Sequence, residues 1–372
     1  MVHLKNLPKL ILAKLANSRM MLKGKKFNKH IIVLESDDWG SIRMPSIEVY
    51  NTLVKNGVSS ILGGKYNQVD TLASNDDLEL LLDILSSVKD ANGNPAKLTM
   101  NCVVANPDFE KIEKSNYEKY YYEPFTETLK RYPNHDRAFA LWQEGISNKL
   151  FRPQFHGREH LNFQKWMTLL KSGNKDTLAC FNFRNYAMIT DETEVLEAYN
   201  IKSKIENEQV LKSISEGLDL FENIFGYRSL SMIAPCYTWN DDIEDIAYQK
   251  GVLYIQGIYI QLLPEYMSHN RRMKRSHYLG EKNRNGQIYL TRNCFFEPSQ
   301  SSRYSAEQCL HNINLMFKLG QPAIISCHRL NFVGGLSSQN RDSNLKEFSF
   351  LLKNIIKQYP DVEFRSSDEL FL

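Results

Sequence analysis

Short apolar runs alternate with amphipathic segments along most of the chain. The runs at 30–36 and 97–104 are too short for typical helices and have the continuous apolar character of buried parallel strands. Between them, leucines spaced three and four apart mark one helix face, with Ser74 as a cap residue. Further strands are predicted at 150–155, 230–234, 322–327 and 362–365. Further helices are predicted from about 162, at 206–225, at 241–250, before Gly320 and around 345–355.

The order of these elements predicts one α/β barrel. Strand-like and helix-like segments alternate from residue 30 onward, which is the order that gives a parallel sheet with helices on its outside. No repeat, low-complexity tract or Pro/Gly/Ser-rich linker divides the chain, so a single closed barrel is favoured over two domains. Polar clusters follow several predicted strands, where barrel enzymes carry their active sites.

The composition is ordinary for a globular protein and narrows the choice of partners. The chain has 372 residues, of which 42% are hydrophobic and 24% charged. No stretch reaches the roughly 20 apolar residues that a membrane-spanning helix needs. The net charge of +3 is too small to indicate nucleic acid, and we predict no such partner. The six cysteines include no C-x-x-C pair, which favours free thiols in a reducing cytoplasm.

The first 29 residues differ from the rest in charge. They carry eight Lys and Arg and no Asp or Glu, and apolar residues lie at helical spacing among them. Two interpretations stay open: a short helix that closes one end of the core, or a peripheral contact with an anionic membrane surface or an acidic glycan. We therefore separate a basic amphipathic N-terminal segment, 1–29, from a barrel domain, 30–372.

The first cluster of candidate catalytic residues is 35–40, Glu-Ser-Asp-Asp-Trp-Gly, at the end of the first predicted strand. Neighbouring side chains on a strand point in different directions, so Asp37 and Asp38 can divide two tasks. One carboxylate can bind a metal ion while the other acts as a base. The alternative is a turn or a helix cap, because Asp and Gly favour both.

The second cluster pairs His156 with His160 after the predicted strand 150–155. Residues four apart lie on the same face of a helix, within reach of one cation. Glu159 does not occupy the glutamate position of H-E-x-x-H, so the zinc metalloprotease motif is absent. Two unrelated surface histidines would give the same spacing, but the apolar residues around this pair favour a buried site.

The third cluster follows the predicted strand 322–327 and contains His328. A histidine that leaves a strand into a loop is a candidate acid or base, because its pKa lies near neutrality. The alternative is a core histidine bonded to the backbone. The three clusters together place three histidines and two aspartates at predicted strand ends.

These motifs, in this order, resemble those of carbohydrate esterase family 4, the polysaccharide deacetylases. The paired aspartates and the His-x-x-x-His match the family's metal-binding motifs. Residues 235–240, Pro-Cys-Tyr-Thr-Trp-Asn, are similar to the Pro-Tyr-Gly-x-x-Asn stretch that shapes its pocket, and His328 matches its late catalytic histidine. The resemblance extends over the barrel domain and implies the family's fold, a distorted (β/α)7 TIM-like barrel, here with loop insertions.

The resemblance implies a reaction and a role for each motif residue. The reaction is the metal-dependent removal of an acetyl or other acyl group from a carbohydrate, such as a bacterial surface polysaccharide or its precursor. The cofactor is one divalent cation, for which we predict Zn²⁺. The implied roles are metal ligation by Asp38, His156 and His160, general base catalysis by Asp37, oxyanion binding by the backbone N–H of Cys236, and general acid catalysis by His328.

Several positions depart from the family's pattern. Gly157 replaces the usual Ser or Thr, Tyr237 replaces the Gly of the pocket motif, and the Arg usually found near Pro235 is missing. No Asp-x-x-Asp-Trp motif is clear, and Glu297 is the best substitute for its acidic residue. The candidates to replace the missing arginine are Arg158, Arg292 and Arg329.

A further set of residues is predicted to contact the carbohydrate. Trp39 and Trp239 lie inside the motifs, and aromatic rings can stack on the apolar faces of pyranose rings. The predicted substrate-binding set is Trp39, Arg158, Tyr237, Trp239 and Glu297.

Two other functions stay open. A metal-independent glycosidase on a related barrel would use Asp37 with another carboxylate, and chelation would distinguish it from a deacetylase. A catalytically inactive glycan-binding barrel would keep the fold without turnover. The missing arginine favours the inactive barrel, whereas the complete set of metal ligands and His328 count against it.

Overall fold

A parallel β-sheet forms the centre of the fold. The computed structural model describes residues 19–62, 64–186, 194–267 and 272–372. The strands in this part of the chain are β1 (Ile31–Trp39), β2 (Leu98–Cys102), β3 (Ala105–Pro107), β4 (Tyr122–Pro124), β5 (Phe151–Phe155), β6 (Ser231–Ile233), β7 (Tyr254–Gly257), β8 (Ile260–Leu262), β9 (Lys274–Ser276), β10 (Ile288–Thr291), β11 (Cys294–Phe295), β12 (Ala323–His328) and β13 (Glu363–Arg365). Nine of them form one sheet, and the pairs β3–β4 and β8–β9 lie outside it.

The main sheet has the strand order β10–β7–β6–β5–β2–β1–β12–β11, and β13 pairs with the beginning of β1. All of these pairs are parallel. Among the described residues the two outer strands, β10 and β11, do not pair with each other. The predicted α/β fold is confirmed as a distorted TIM-like barrel. It is a half-barrel of eight strands in this order, and the two end strands are joined by Arg292 and Asn293, whose N–H groups donate to the carbonyls of Gly257 and Ile324.

The helices begin and end largely where the pattern predicts them. Beyond residue 40 they are α1 (Ile47–Lys55), α2 (Tyr66–Val69), α3 (Asn75–Ser86), α4 (Phe109–Lys114), α5 (Phe125–Leu129), α6 (Ala138–Ser147), α7 (Phe163–Lys171), α8 (Lys175–Asn182), α9 (Lys204–Phe225), α10 (Asp241–Gln249), α11 (Ala306–Lys318) and α12 (Ser338–Gln358). In α3, Ser74 and Asp77 cap the first turn reciprocally, and the leucines of the predicted face are buried in the core.

The carboxyl ends of the central strands position the candidate site. All nine residues of β1 are buried, as expected for a strand covered on both faces. In the register of β1 with β12, Asp37 lies opposite His328. His156 follows directly after β5, and Pro235 comes soon after β6. Parallel pairing therefore brings motifs that are far apart in the sequence to one edge of the sheet.

The described part of the N-terminal segment contacts the barrel domain. Residues 1–18, which carry most of the predicted amphipathic pattern, lie outside the described residues. The backbone N–H of Lys25 donates to the carbonyl of Leu279, and that of Phe27 to the carbonyl of Gly320, each at 2.8 Å. We find no helix in the described ranges with the length and apolar character to cross a lipid bilayer.

Candidate metal centre

Asp38, His156 and His160, here called the metal triad, are brought together at the carboxyl end of the sheet. All three residues are buried, and one ligand atom from each lies within 4.8 Å of the other two. Asp38 Oδ1 is 3.4 Å from His156 Nε2 and 3.6 Å from His160 Nε2. The ligands of a tetrahedral zinc ion lie roughly 3.3–3.5 Å apart, since each bond is about 2.0–2.1 Å long. The triad therefore fits one such ion.

The two histidines meet through a loop, so the predicted helical pairing is wrong. Residues 156–162 have no helical structure, and α7 begins only at Phe163. Gly157 has φ +114, and a Cβ there would lie 3.0 Å from the hydroxyl oxygen of Tyr199. Such a backbone is open to glycine and strained for other residues, which explains why this chain has no Ser or Thr after His156.

Protonation within the triad suits metal binding. Nδ1 of His156 is 3.0 Å from the carbonyl oxygen of Ile233. Because a carbonyl only accepts, Nδ1 carries the proton and Nε2 is free to ligate. Burial lowers the pKa of His160 to about 4 despite the nearby charge of Asp38, so this ring is neutral. Burial alone would raise the pKa of Asp38, but its proximity to the imidazole rings of His156 and His160 outweighs burial and lowers this pKa well below its usual range.

Asp38 itself has an unusual backbone, with φ +72. This left-handed conformation is uncommon for residues other than glycine, although Asp tolerates it better than most. The turn is closed by a hydrogen bond from the N–H of Ser41 to the carbonyl of Asp38 at 3.2 Å. This left-handed turn lies at a candidate metal ligand, and such sparsely populated backbone conformations are often found at functional sites.

Asp37 is held by Arg292 in a bidentate ion pair. Nη1 and Nη2 of Arg292 donate to the two carboxylate oxygens of Asp37, each at 2.6 Å, and Nε donates to Glu35 at 2.6 Å. Glu35 also accepts from the hydroxyl of Ser367 at 2.7 Å. Burial alone would raise the pKa of Asp37, but the charge and hydrogen bonds of Arg292, together with His328, hold it below its ordinary value.

Of the three arginines considered as a replacement, Arg292 is the one bound to Asp37. The other two candidates have different partners. Arg158 is paired with Glu159 and Glu216, whereas Arg329 makes a bidentate pair with Asp70. Arg292 comes after β10, far in sequence from Pro235, and for that reason local sequence could not single it out.

His328 is oriented by Glu297. Its Nδ1 is 2.7 Å from Oε1 of Glu297, and its Nε2 is 3.7 Å from Oδ2 of Asp37. Burial lowers the pKa of His328, but the ion pair with Glu297 outweighs it and, with the charges of Asp37 and Asp38, raises the pKa to about 9. The ring is therefore cationic near neutral pH. Glu297, predicted both as an acidic partner and as a substrate contact, lies against the histidine.

These groups open into one cavity of about 380 Å³. Its lining includes the metal triad, Asp37, His328, Cys236 and Tyr237. Cys236 and Tyr237 form a tight turn after Pro235, with φ +52 and +54. The left-handed backbone that the family's Gly would favour is therefore kept here by Tyr237. The role of the Cys236 N–H stays a prediction.

Four of the five predicted substrate contacts, Trp39, Arg158, Trp239 and Glu297, lie outside the cavity lining. Trp39 is 1% exposed and donates from Nε1 to Ser36, and Trp239 is 2% exposed and donates to Glu244. Neither ring lines the cavity, so neither can stack on a sugar there. Arg158 is also buried and paired away from the cavity lining. These side chains serve packing and internal hydrogen bonding.

Four polar residues of the lining were missed by the sequence reasoning: Arg43, Tyr66, Glu194 and Glu197. Arg43 had a signal, because it follows the Asp37-Asp38 motif in the same loop. Tyr66 lies on α2 and the two glutamates lie far along the chain, and no motif or strand end marks them.

Comparison with known proteins finds likeness at the level of the fold. No family model matches the chain, and no curated protein sequence matches it either. Matching solved structures include one described as a polysaccharide deacetylase from Pseudomonas aeruginosa, 10% identical, with a TM-score of 0.42 over 92% of this chain and 89% of that one. Another, described as a glycoside hydrolase/deacetylase from Parabacteroides distasonis, is 8% identical, with a TM-score of 0.46 over 92% and 70%.

A third match is the 4-alpha-glucanotransferase from Thermococcus litoralis, 8% identical with a TM-score of 0.42. The match covers 92% of this chain but only 40% of that enzyme. At these identities the likeness concerns the fold alone. What the chain does must therefore be argued from the residues of the metal centre.

Proposed function

We propose that this chain is a metal-dependent hydrolase that removes an acetyl or other acyl group from a carbohydrate. The observation that carries the proposal is that the metal triad, Asp37 and His328 line one cavity, with Arg292 bound to Asp37 and Glu297 bound to His328 outside its lining. Metal-dependent hydrolysis of an amide or ester uses a Lewis acid, a base and an acid around one carbonyl group. The cavity supports all three roles.

The triad supplies two imidazole nitrogens and one carboxylate oxygen, a donor set found in catalytic zinc sites. We therefore propose Zn²⁺ as the resident cation. When bound, such a cation lowers the pKa of a water molecule and polarises the acyl carbonyl group.

The proton transfers fall to Asp37 and His328. Asp37 is kept anionic by Arg292, so it can accept a proton from the attacking water. His328 is kept cationic by Glu297, and its Nε2 is left to donate a proton to the departing nitrogen or oxygen. The carboxylate of Asp37 and the ring of His328 are held in position by their buried partners, which reduces the reorganisation that the reaction requires. The N–H of Cys236 would help to hold the developing oxyanion.

Acetate release is the direct test. The purified chain should contain a divalent cation and release acetate from at least one member of a panel of N- and O-acetylated sugars, and chelation should abolish the release. A fully metallated, folded protein without release would instead support a glycan-binding barrel. Cleavage of glycosidic bonds that resists chelation would support a glycosidase.

A further inference from the structure

One cationic side chain of the cavity lining has a buried nitrogen that is unpaired within the described ranges. Arg43 lies in the loop after β1, and its side chain forms part of the cavity lining. The residue is 9% exposed, and its Nε atom is buried with no hydrogen-bond acceptor among the described residues. Leaving such a donor unsatisfied is costly. The unpaired donor therefore indicates that a bound ligand completes the hydrogen bonding of the Arg43 guanidinium.

The nearest carboxylate is already occupied. Nε of Arg43 is 3.8 Å from Oδ2 of Asp70, beyond hydrogen-bond distance. Arg329 takes both oxygens of Asp70, with bonds of 3.0 and 2.9 Å. Two guanidinium groups thus share one carboxylate, and Asp38 belongs to the metal triad. Among the described residues, Arg43 therefore has no carboxylate to which it is hydrogen-bonded.

The glutamates of the lining have other partners. Oε1 of Glu197 accepts from Arg272 and Oε2 from Asn200, each at 2.6 Å. Glu194 accepts from the backbone N–H of Leu196 at 2.6 Å. Neither carboxylate is hydrogen-bonded to Arg43 in the described part of the chain. In the described part of the chain, the Arg43 guanidinium is therefore a cationic group of this lining with an unpaired donor.

The position of Arg43 is fixed before any ligand arrives. The N–H of Ile42 donates to Asn106 at 2.8 Å, and the N–H of Met44 to the carbonyl of Asp70 at 3.3 Å. The guanidinium carbon lies 4.7 Å from the ring centroid of Tyr66, a cation–π contact that orients the planar group. A guanidinium held in this way is suited to bind a planar or tetrahedral oxyanion through two parallel hydrogen bonds.

We propose that Arg43 binds an anionic group of the substrate, so that the substrate is an acylated sugar bearing a carboxylate or a phosphate. That the substrate carries an acyl group rests on the proposed function, whereas the anion subsite rests on Arg43 alone. Carboxylate and phosphate offer the same oxyanion chemistry to a guanidinium, and the choice between them is made by the experiment.

Calorimetric titration with sugars that lack an acyl group tests the subsite without turnover. The full-length chain is titrated with glucose, glucose phosphate and glucuronate, both metal-loaded and metal-free, because an anion could also bind the cation directly. At least one anion should bind about tenfold to a hundredfold more tightly than glucose in the metal-free protein, the range for hydrogen bonds to a charged group. The stronger of the two anions identifies the class.

Variants of the arginine locate the effect. Arg43→Gln should bring the ratio of the anion affinity to the glucose affinity close to one. Arg43→Lys should keep part of this affinity ratio, because the positive charge remains but the planar guanidinium group is lost. Arg303→Gln, at an exposed position, is the matched control and should keep the full ratio. Melting temperature is measured on each variant, and if Arg43→Gln does not fold, the lowered ratio of Arg43→Lys carries the test.

The subsite is overturned if the parent binds neither anion more tightly than glucose, or if the Arg43 variants keep the ratio of the parent. These outcomes are independent of acetate release. Acetate release without a preference for anions would support the proposed function and contradict the anion subsite. A preference for anions without acetate release would support the subsite and contradict the proposed function.

Discussion

At the scale of single residues, the two adjacent aspartates have different partners and should have different phenotypes. Asp37 is bound by Arg292, whereas Asp38 faces the two histidines. A division of tasks was expected from the motif, because neighbouring side chains on a strand point in different directions, and the family resemblance implied which aspartate takes which role. What the motif could not show is which distant side chains hold each carboxylate.

Replacing each aspartate by asparagine should separate their roles. Asp37→Asn should keep the metal but lose on the order of 10²–10⁴ in rate, because it removes the proposed base. Asp38→Asn should also lower metal affinity, because an anionic ligand is lost. Metal content and kcat measured on the same samples decide the matter. If both variants bind the cation like the parent, the assigned roles are wrong.

The proposed acid should reveal itself in the pH dependence of the rate. His328 must be protonated to act, and its ion pair with Glu297 contributes to raising its pKa to about 9. Activity should therefore fall as the pH rises through this pKa. Glu297→Gln removes the charge that favours the protonated ring, so the alkaline limb of kcat/KM should move to lower pH. The bound cation affects parent and variant alike.

Two outcomes would separate this role from a purely structural one. A Glu297→Gln variant with an unchanged alkaline limb would contradict the proposed pairing. His328→Ala should cost about 10²–10⁴ in rate at unchanged metal content, and a stable, metallated and fully active variant would end the proposal of a general acid.

At the scale of elements, the loop between β5 and α7 decides the geometry of the metal triad. The spacing of His156 and His160 correctly identified the pair but attributed it to a helix. The signal against a helix was Gly157, which lies between them in the left-handed region. Similarly, β7, β10 and β11 were missed, because runs of two to four residues carry too little periodicity to identify a strand.

Gly157→Ala should therefore disturb metal binding. The new Cβ would lie 3.0 Å from the Tyr199 hydroxyl on a backbone with φ +114, and such strain costs on the order of 1–3 kcal/mol. We expect a lower melting temperature and weaker metal affinity. Gly173→Ala is the matched control, because that glycine also has a positive φ but no atom near its missing Cβ. Equal metal affinity in the two variants would contradict the importance of this loop.

At the scale of the whole molecule, the fold class and the gathering of the motifs could be predicted from the alternation of elements, because parallel strands bring their carboxyl ends to one edge. The pairing of β10 with β7 and of β11 with β12 could not, since these two consecutive strands have only four and two residues and show no clear pattern. The burial of Trp39 and Trp239 could not be predicted either. Their positions inside motifs indicated a pocket, but burial is set by elements that local sequence does not identify.

The N-terminal segment should prove to have two parts. Deletion of residues 1–18 should leave the fold largely intact and, if this stretch contacts membranes, weaken binding to anionic vesicles. Deletion through residue 29 also removes the hydrogen bonds of Lys25 and Phe27 to the barrel domain and should lower the melting temperature further. Thermal unfolding and vesicle sedimentation of both truncations measure this. Equal melting temperatures would show that the contacts of 19–29 contribute nothing to stability.

The hydrogen bond from Ser367 to Glu35 has a consequence for where damage to the chain would be felt. It ties the turn after β13 to Glu35, then to Arg292, and through that arginine to Asp37. β13 itself pairs with residues at the beginning of β1, at the end of the strand away from the cavity. Removal of the chain from Ser367 onward would thus remove one of the contacts that position the proposed base. Proteolytic cleavage there should lower activity although the cleaved bond lies outside the cavity.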